Sequence, residues 1–457
     1  MKAPRIMLAA PASGSGKTLV TCGLLQAFVN RGMKTAAFKC GPDYIDPMFH
    51  SKIMGIESKN LDTYFTNGDI VRYLFGKTAC CSDISVLEGV MGFYDGIAGI
   101  STQGSAYDVA NVTDTPVILV VDTKGMSLSI TALIKGYLEF RSDSRIVGVI
   151  LNRISEGLYH RVKNTIESEL PIKVLGYVPK TEEYVIESRH LGLITPDEVT
   201  DLKTKLQGLA NMLEETLDID GIIDLADSSA NISYYAPDIP KLDTPVTIGI
   251  AKDEAFCFYY RDNLELMEAM GANLIYFSPL HDTHIQKEID GMIFYGGYPE
   301  IYARGLSENA SMRKQIQVYL KNGMPYLAEC GGFMYLHDII EDMDGKEWPM
   351  IGWVKGKAFR MKKFKRFGYI SLSAKKKQIL GERGVICKAH EFHYYESSSN
   401  GSSFLAKKPM VERSWECIHA DDQGAAGFPH LYYYSNPDMI FRFLQTCQNK
   451  KIQRSKG

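Results

Sequence analysis

The sequence predicts an α/β protein made of two doubly wound units, each a parallel sheet flanked by helices. Short continuous apolar runs recur along both halves of the chain, and most end in glycine or acidic residues before a helical pattern. Continuous runs, unlike alternating ones, are typical of strands buried on both faces, as in parallel sheets. From 218 to 245 Asp, Ser, Asn and Pro dominate and the periodicity ends. A linker there divides the chain into two domains.

The composition is that of a globular protein and excludes several function classes. Of 457 residues 45% are hydrophobic, and 51 Lys and Arg stand against 54 Asp and Glu, so the net charge is -3. This balance argues against a general nucleic-acid binder, and no apolar run approaches the roughly 18 residues of a membrane span. The nine cysteines include no C-x-x-C pair, which excludes the usual zinc spacing. Their odd number without a signal peptide predicts reduced thiols and a cytoplasmic location.

The first predicted strand leads into a glycine-rich loop. An apolar run over 6–10 ends in small residues and then Gly-Lys-Thr, and helix formers follow over 19–29. This order predicts a phosphate-binding loop, because backbone N–H groups and a helix N-terminus face the anion. Lys17 is expected to reach the terminal phosphates of a nucleoside triphosphate, and the Thr18 hydroxyl to hold Mg²⁺. The predicted nucleotide-binding residues of the loop are Ser13, Gly14, Ser15, Gly16, Lys17 and Thr18.

Further strands of the first half follow in order. Buried runs indicate strands over 34–38, 84–87, 117–121, 146–151 and 174–178, with helices over 128–140 and 199–217. In open α/β sheets the ligand binds at the carboxyl ends of such strands. At one of these ends Asn152 either reads the nucleotide base through its amide or caps a helix, and the sequence does not decide between the two.

Acidic side chains follow two of these strand ends. Asp43 and Asp46 lie in a turn rich in Gly and Pro, where we expect both in the active cleft and Asp43 on Mg²⁺; turn formation explains both equally well. Glu88 occupies the place of the acidic residue that supports Mg²⁺ in phosphate-loop enzymes. Asp95 is either a second acidic contact or a turn residue.

The second half repeats the pattern of strand and helix. Strands are predicted over 246–251, 274–277, 291–295 and 325–328, with a helix over 260–270. The last strand leads into Glu-Cys-Gly-Gly, where Cys330 has the form of a nucleophile elbow. The helix that follows is expected to lower the pKa of the Cys330 thiol. Backbone N–H groups of Gly297 and Gly331 are expected to form an oxyanion hole.

Three histidines are candidates for the base that cysteine catalysis needs. His430 follows a predicted strand near the end of the chain, and His390 and His393 are its competitors. Spacing alone does not choose among them.

Five motifs together resemble the cobyrinate a,c-diamide synthase family over essentially the whole chain. They are Gly-Ser-Gly-Lys-Thr at 14–18, Gly-Pro-Asp-Tyr-Ile-Asp at 41–46, Glu-Gly-Val-Met-Gly-Phe-Tyr-Asp-Gly at 88–96, Gly-Gly-Tyr-Pro-Glu at 296–300 and Glu-Cys-Gly-Gly at 329–332. The resemblance is to a phosphate-loop amide ligase, similar to dethiobiotin synthetase, fused to a class I glutaminase of the cobyrinate and cobyrate type.

The resemblance also names the domains and the catalytic pair. It implies a phosphate-loop NTPase-like sheet and then a flavodoxin-like class I glutaminase domain. We place these domains at 1–220 and 246–447, with a linker over 221–245 and a polar tail over 448–457. By resemblance Cys330 is the nucleophile and His430 its base. The wider class I pattern has glutamate two residues after the histidine, where this chain has Tyr432, so we expect a dyad.

The function implied by the family is amide formation on a tetrapyrrole in cobalamin biosynthesis. ATP with Mg²⁺ would convert the a and c acetate carboxylates of cobyrinate to acyl phosphates, which ammonia from glutamine then attacks. The expected partners are the corrin-type substrate and glutamine, with neither nucleic acid nor membrane, and a homodimer is possible.

Two alternatives stay open at this stage. The same chemistry could act on nickel sirohydrochlorin or on hydrogenobyrinate, because no motif reads the metal or the ring. A more distant alternative is a partitioning-type ATPase switch that binds a protein partner. The Cys330 elbow in a separate domain argues against that switch.

Overall fold

The computed structural model describes residues 1–181, 188–189, 192–193, 202–362 and 366–456. The chain forms two compact units, Met1–Pro237 and Asp238–Gly457. Each unit contains its own mainly parallel sheet, which confirms the predicted α/β class. No helix within these ranges is long and apolar enough to cross a membrane.

The first unit is built on a seven-stranded parallel sheet. Its strands are β1 (Arg5–Ala9), β2 (Thr35–Cys40), β3 (Glu57–Leu61), β4 (Ile84–Glu88), β5 (Val117–Asp122), β6 (Ile146–Asn152) and β7 (Lys173–Val178). Their order across the sheet is β3-β2-β4-β1-β5-β6-β7. β1, which leads into the phosphate loop, is therefore central, and all five of its residues are buried.

Helices connect these strands. They are α1 (Lys17–Asn30), α2 (Ile45–Met54), α3 (Gly68–Ala79), α4 (Ala106–Val112), α5 (Ser129–Phe140), α6 (Glu156–Glu169), α7 (Leu202–Thr216) and α8 (Ile219–Asp227), with a short ladder of β8 (Ser188–Arg189) and β9 (Gly192–Leu193) after β7. The start of the helix predicted over 199–217 lies outside the described residues. α1 and α7 pack closely at Gly23, where an added Cβ would lie 2.3 Å from Leu213 Cδ1.

β3 is a strand that the apolar pattern did not predict, because its sequence is Glu-Ser-Lys-Asn-Leu. Four of its five residues are nevertheless buried. The Asn60 side chain donates hydrogen bonds to the carbonyls of Gly41 (2.9 Å) and Asp43 (2.6 Å). The buried polar strand thus holds the turn that carries the acidic pair.

The predicted linker over 221–245 is partly helical, which corrects its start. The first residues of this range belong to α8, which buries Ile219 and Ile222. Asp218 is the N-cap residue of α8, and its carboxylate accepts a hydrogen bond from Gly221 N (2.9 Å). Its short apolar stripe is masked by acidic residues, which is why the periodicity seemed to end. The irregular segment covers 228–245 and contains the boundary between the units.

The second unit contains a six-stranded sheet in the order β11-β10-β12-β13-β23-β22. Its strands are β10 (Val246–Ala251), β11 (Ala272–Phe277), β12 (Gly291–Phe294), β13 (Tyr326–Glu329), β22 (His419–Ala420) and β23 (Gly424–Gly427). All neighbours are parallel except β22 and β23. The helices around it are α9 (Arg261–Ala269), α10 (Ala303–Glu308), α11 (Ala310–Lys321), α12 (Gly331–Tyr335) and α13 (Pro437–Lys456).

Two further sheets in this unit were not predicted. The four-stranded sheet joins β14 (His337–Glu341), β15 (Glu347–Pro349), β16 (Val354–Arg360) and β19 (Tyr395–Ser397). The five-stranded antiparallel sheet joins β17 (Phe367–Ala374), β18 (Ile386–Phe392), β20 (Phe404–Lys407), β21 (Ser414–Cys417) and β24 (His430–Leu431). Many of these strands are short or partly exposed, so they lack the continuous apolar runs of the parallel sheets.

The polar tail predicted over 448–457 is wrong for the described residues, because α13 continues to Lys456. Lys451 Nζ donates to the carbonyl of Pro245 (2.8 Å). Arg454 donates to the carbonyl of Ile289 (3.1 Å) and forms an ion pair with Asp290. Basic side chains thus bind the end of the chain to this unit.

Gly176 provides a test of how closely β7 packs against the end of α7. Its φ is 128°, and an added Cβ would lie 2.3 Å from the Thr216 carbonyl oxygen at the end of α7. Gly176→Ala should therefore lower the free energy of unfolding by about 1–3 kcal/mol, measured by urea denaturation. In the matched control Gly136→Ala, no described atom apart from the neighbouring residues and the nearby backbone of α5 lies within 4 Å of the new Cβ. That helical change should be neutral or stabilising, and equal effects of both changes would contradict the packing argument.

Candidate functional site

The loop between β1 and α1 has the conformation of an anion-binding loop. Gly14 and Gly16 have φ values of 79° and 92°, which favour glycine. Ser15 Oγ donates to the Ala12 carbonyl (2.9 Å), which fixes the turn. Gly16 caps α1 without any side-chain hydrogen bond, so the first N–H groups of the helix are available to a phosphate.

Lys17 lies at this loop and is nearly buried. Its Nζ donates to the carbonyl of Met91 (2.6 Å), in the loop after β4, and lies 3.4 Å from that of Ala12. Burial, followed by the neighbouring Lys39 ammonium, lowers the pKa of Lys17 to about 8. The ammonium is thus held between the two loops that follow the central strands.

Thr18 and the acidic residues form one cluster at the carboxyl ends of β1, β2 and β4. Thr18 Oγ1 donates to Glu88 Oε1 (2.6 Å). Lys39, opposite Glu88 in the strand register, donates to the same oxygen (2.8 Å) and forms an ion pair with Asp46. Asp43 Oδ2 lies 3.9 Å from Lys39 Nζ. The structure therefore brings together Thr18, Asp43, Asp46 and Glu88, as their positions after the strands predicted.

Lys39 is the member of this cluster that sequence reasoning missed. Burial alone would lower the pKa of Lys39, but the Asp46 and Glu88 carboxylates raise it well above its usual value. The buried ammonium stays charged and offsets the charge of its carboxylate neighbours. The available signal was a lysine at the end of a strand directly before the acidic turn.

The oxygen atoms of this cluster fit Mg²⁺. Glu88 Oε2 is buried and has no hydrogen-bond partner within the described part of the chain, and the Thr18 hydroxyl lies beside Oε1. Mg²⁺ usually takes one or two carboxylates and completes its shell with phosphate oxygens and water.

Asn152 lies next to the phosphate loop, but it caps no helix, because Ser155 is the N-cap residue of α6. Its Nδ2 donates to the Ser15 carbonyl (2.8 Å), and its Oδ1 accepts from Arg153 N (2.9 Å). The amide therefore fastens the loop to the end of β6, and recognition of the nucleotide base by Asn152 stays a prediction.

Asp95 accepts a hydrogen bond from Gly92 N (2.9 Å) and thus stabilises its own turn.

Cys330 joins β13 to α12 in a sharp turn. Its φ of 48° and ψ of −105° are unusual for a residue with a side chain, and its N–H donates to the Gly427 carbonyl (2.8 Å). An added Cβ at Gly332 would lie 2.2 Å from the Phe294 carbonyl oxygen, and one at Gly331 would lie 2.9 Å from Gly297 N. The two backbones of the predicted oxyanion hole therefore lie side by side.

The prediction that the pKa of Cys330 is lowered is wrong. Cys330 is buried, and burial followed by the Glu300 carboxylate raises the pKa of the thiol. The Gly331 N–H opposes this shift, but α12 has only five residues. The Cys330 thiol is therefore neutral, and a base would have to remove its proton before or during nucleophilic attack.

His430 lies beside the residue that precedes this thiol. Its Nδ1 is 3.9 Å from Glu329 Oε2, and its ring packs on Gly296, where an added Cβ would lie 2.4 Å from Cε1. Burial, followed by the neighbouring His390 and His393, lowers the pKa of His430 well below its usual value. A neutral imidazole can accept a proton, as a base must.

The two competing histidines lie close to His430. His390 is opposite it across β18 and β24, and the two rings stack with centroids 5.0 Å apart. His393 stacks on Phe428 at 4.0 Å, and its Nε2 lies 3.5 Å from Glu391 Oε2. Sequence spacing could not reveal this cluster, because strand pairing forms it.

Two protein-family models match the chain. One, described as the CobQ/CobB/MinD/ParA nucleotide binding domain, matches residues 6–193. The other, described as the CobB/CobQ-like glutamine amidotransferase domain, matches residues 247–432. The two matched ranges contain the phosphate loop and the cysteine elbow respectively.

Curated relatives match almost the whole chain. The cobyrinate a,c-diamide synthase of Caldanaerobacter subterraneus subsp. tengcongensis is 38% identical over 97% of this chain and 98% of its own length. The proteins of the same name from Listeria innocua and Priestia megaterium are 38% and 36% identical over 96% and 98% of this chain, and each is covered over 98% of its length. Because relatives of this name are 36% to 38% identical over almost their whole length, the chain belongs to the cobyrinate a,c-diamide synthase family.

Proposed function

We propose that this protein uses ATP to amidate the a and c acetate carboxylates of cobyrinate, with glutamine or ammonia as nitrogen donor, in cobalamin biosynthesis. The observation that carries the proposal is the pairing of two sites on one chain that matches its relatives over nearly full length. One site suits phosphoryl transfer, and the other suits release of ammonia from an amide. Because all nine cysteines are free thiols, we also infer a cytoplasmic location.

The first unit would activate the carboxylate. A carboxylate does not accept ammonia at neutral pH, because it is negatively charged and lacks a leaving group. Transfer of the γ-phosphoryl group of ATP gives an acyl phosphate, whose phosphate then leaves when ammonia attacks. The loop N–H groups and Lys17 would hold the nucleotide phosphates, and Thr18, Asp43 and Glu88 would hold Mg²⁺. Bound Mg²⁺ would neutralise charge on the transferred phosphoryl group.

The second unit would release ammonia from glutamine. As the Cys330 sulfur attacks the side-chain amide carbon, His430 takes the thiol proton and then gives it to the leaving nitrogen. N–H groups of Gly297 and Gly331 would stabilise the oxyanion. Water then hydrolyses the thioester to glutamate. Because thiol and imidazole are both neutral at rest, this proton transfer accompanies the attack.

A side-by-side assay tests the substrate. With ATP, Mg²⁺ and either glutamine or ammonium, the protein should convert cobyrinate to its diamide faster than it amidates nickel sirohydrochlorin or hydrogenobyrinate, measured by mass spectrometry.

Lys17→Ala should abolish product formation with both nitrogen donors, because the nucleotide phosphates lose the ammonium group that binds them. The exposed control Lys135→Ala should behave as wild type. A preference for another ring would overturn the cobyrinate assignment, and an active Lys17→Ala protein would overturn the phosphate site. The homodimer stays a prediction, which light scattering would measure.

Asparagine variants separate chemistry from turn formation in the acidic pair. Asp43 Oδ1 accepts a hydrogen bond from Ile45 N (2.9 Å), which asparagine can keep, so Asp43→Asn should retain stability but lose most ammonia-dependent synthesis. Asp46→Asn removes a counter-charge from buried Lys39 and should also cost about 3 kcal/mol of stability. Urea denaturation and product formation measure the two effects. Wild-type rates and stability in both variants would support turn formation alone.

Loss of the nucleophile should affect only one nitrogen donor. Cys330→Ala should lose glutamine-dependent synthesis and keep synthesis from ammonium salts, because carboxylate activation uses the first unit. Its ammonia-dependent rate should increase with pH, since only neutral ammonia is nucleophilic. Cys257→Ala, a cysteine outside the elbow, serves as the control. A Cys330→Ala protein that uses glutamine at the wild-type rate would overturn the nucleophile assignment.

A further inference from the structure

The base His430 lacks a carboxylate at the position where the wider class I pattern places one. Tyr432 stands there, and its buried ring packs edge-on against Tyr260 with centroids 5.0 Å apart. A phenol in this aromatic contact supplies no negative charge to an imidazolium. An acidic partner for His430 must therefore come from another part of the fold.

Glu329 is such a carboxylate. It is the last residue of β13, directly before Cys330, and only 4% exposed. Its Oε2 lies 3.9 Å from His430 Nδ1, and the N–H of Leu431, the next residue after the histidine, donates a hydrogen bond to the carboxylate. The backbone of β24 thus fixes the carboxyl group beside the imidazole.

Few groups around Glu329 can compensate the negative charge of its carboxylate. Its Oε1 has no hydrogen-bond partner in the part of the chain that the structure describes. Burial raises the pKa of Glu329 well above its usual value, and a positive charge on the neighbouring imidazole would oppose that shift and favour the carboxylate. A buried carboxylate with so few hydrogen bonds is costly unless a cation lies near it. His430 is the neighbouring group that gains a positive charge during the reaction.

We propose that Glu329 is the positioning residue of the glutaminase site, holding the His430 imidazole and stabilising its cation. This proposal rests on the roles proposed for Cys330 and His430. During attack the S–H bond breaks, an N–H bond forms on His430, and the imidazolium pairs with the Glu329 carboxylate. The proton then passes to the leaving amide nitrogen. The carboxylate that follows the histidine in other class I enzymes is thus replaced by one that precedes the cysteine.

Other titratable groups also face this pair. The groups near Glu329 are Tyr295, Tyr433, Cys387 and Cys330, and those near His430 are His390 and His393. Burial raises the pKa of each of these tyrosines and cysteines and lowers that of His390 to about 3, so these groups stay neutral around pH 7. His393 has its own acidic neighbour in Glu391. Glu391→Gln is therefore the matched control.

The experiment compares Glu329→Gln with Glu391→Gln in the full-length protein. Glu329→Gln should lower kcat with glutamine at least about tenfold, leave KM for glutamine unchanged and keep ammonia-dependent synthesis. Without the carboxylate the imidazolium loses its stabilisation, so the acidic limb of the glutamine-dependent pH profile should move to lower pH. Glu391→Gln should keep the wild-type limb. The proposal would be overturned if Glu329→Gln left both kcat and the acidic limb of the pH profile unchanged. It would also be overturned if Glu391→Gln, and not Glu329→Gln, lowered kcat and moved that limb.

A double-mutant cycle covers the case in which Glu329→Gln perturbs folding. If Glu329 acts through His430, Glu329→Gln should have no further effect on glutamine use in the His430→Ala background. Losses that multiply would overturn the proposal. Glu329→Asp, which keeps the charge, should recover part of the rate. A Cys330→Ala protein that still uses glutamine would instead contradict the proposed function, so the two failures are distinguishable.

Discussion

The buried ammonium of Lys39 is the interaction on which the first site depends. It binds the Asp46 and Glu88 carboxylates, and Glu88 in turn accepts a hydrogen bond from the Thr18 hydroxyl. Removing the cation would leave the buried carboxylates of Asp46 in α2 and Glu88 at the end of β4 without a counter-charge, which is costly. One side chain therefore links β2, β4 and the start of α1, and it fixes the acidic group before any nucleotide is bound.

The second site depends on a different constraint, which is backbone crowding. Gly332 lies against the Phe294 carbonyl, Gly331 against Gly297 and Gly296 against His430. These contacts leave no space for side chains, so the backbone segments that carry the proposed nucleophile, base and oxyanion donors can approach one another closely. Burial in this crowded site raises the pKa of Cys330 and lowers that of His430, so both groups are neutral. The proposed reaction therefore begins with transfer of the thiol proton and does not start from a thiolate.

Much of the first unit could be predicted from the sequence, because a strand buried on both faces needs a continuous apolar run. β3 was missed because Ser58, Lys59 and Asn60 are buried through polar contacts, which a hydropathy pattern cannot show. Lys39 was missed for a related reason: a lysine normally lies in solvent, and only the acidic groups around it explain its burial.

The second unit was less predictable, and strand pairing is the cause. The sharp turn at Cys330 could be predicted because a cysteine between a strand and glycines is a local pattern. The three histidines meet only because β18 pairs with β24, a contact between residues about 40 positions apart. Glu329 was missed because the class I pattern has its carboxylate two residues after the histidine, whereas the carboxylate proposed here directly precedes the cysteine.

The burial that keeps Cys330 protonated has a consequence for oxidative chemistry. Oxidants and alkylating agents react with exposed thiolates, whereas this nucleophile is enclosed. Cys80 and Cys81 are exposed, with sulfurs 3.6 Å apart, and a general thiol reagent reaches them first. The proposed catalytic cysteine is thus shielded from such reagents by its burial, and the total thiol reactivity of this protein would report on its surface cysteines rather than on Cys330.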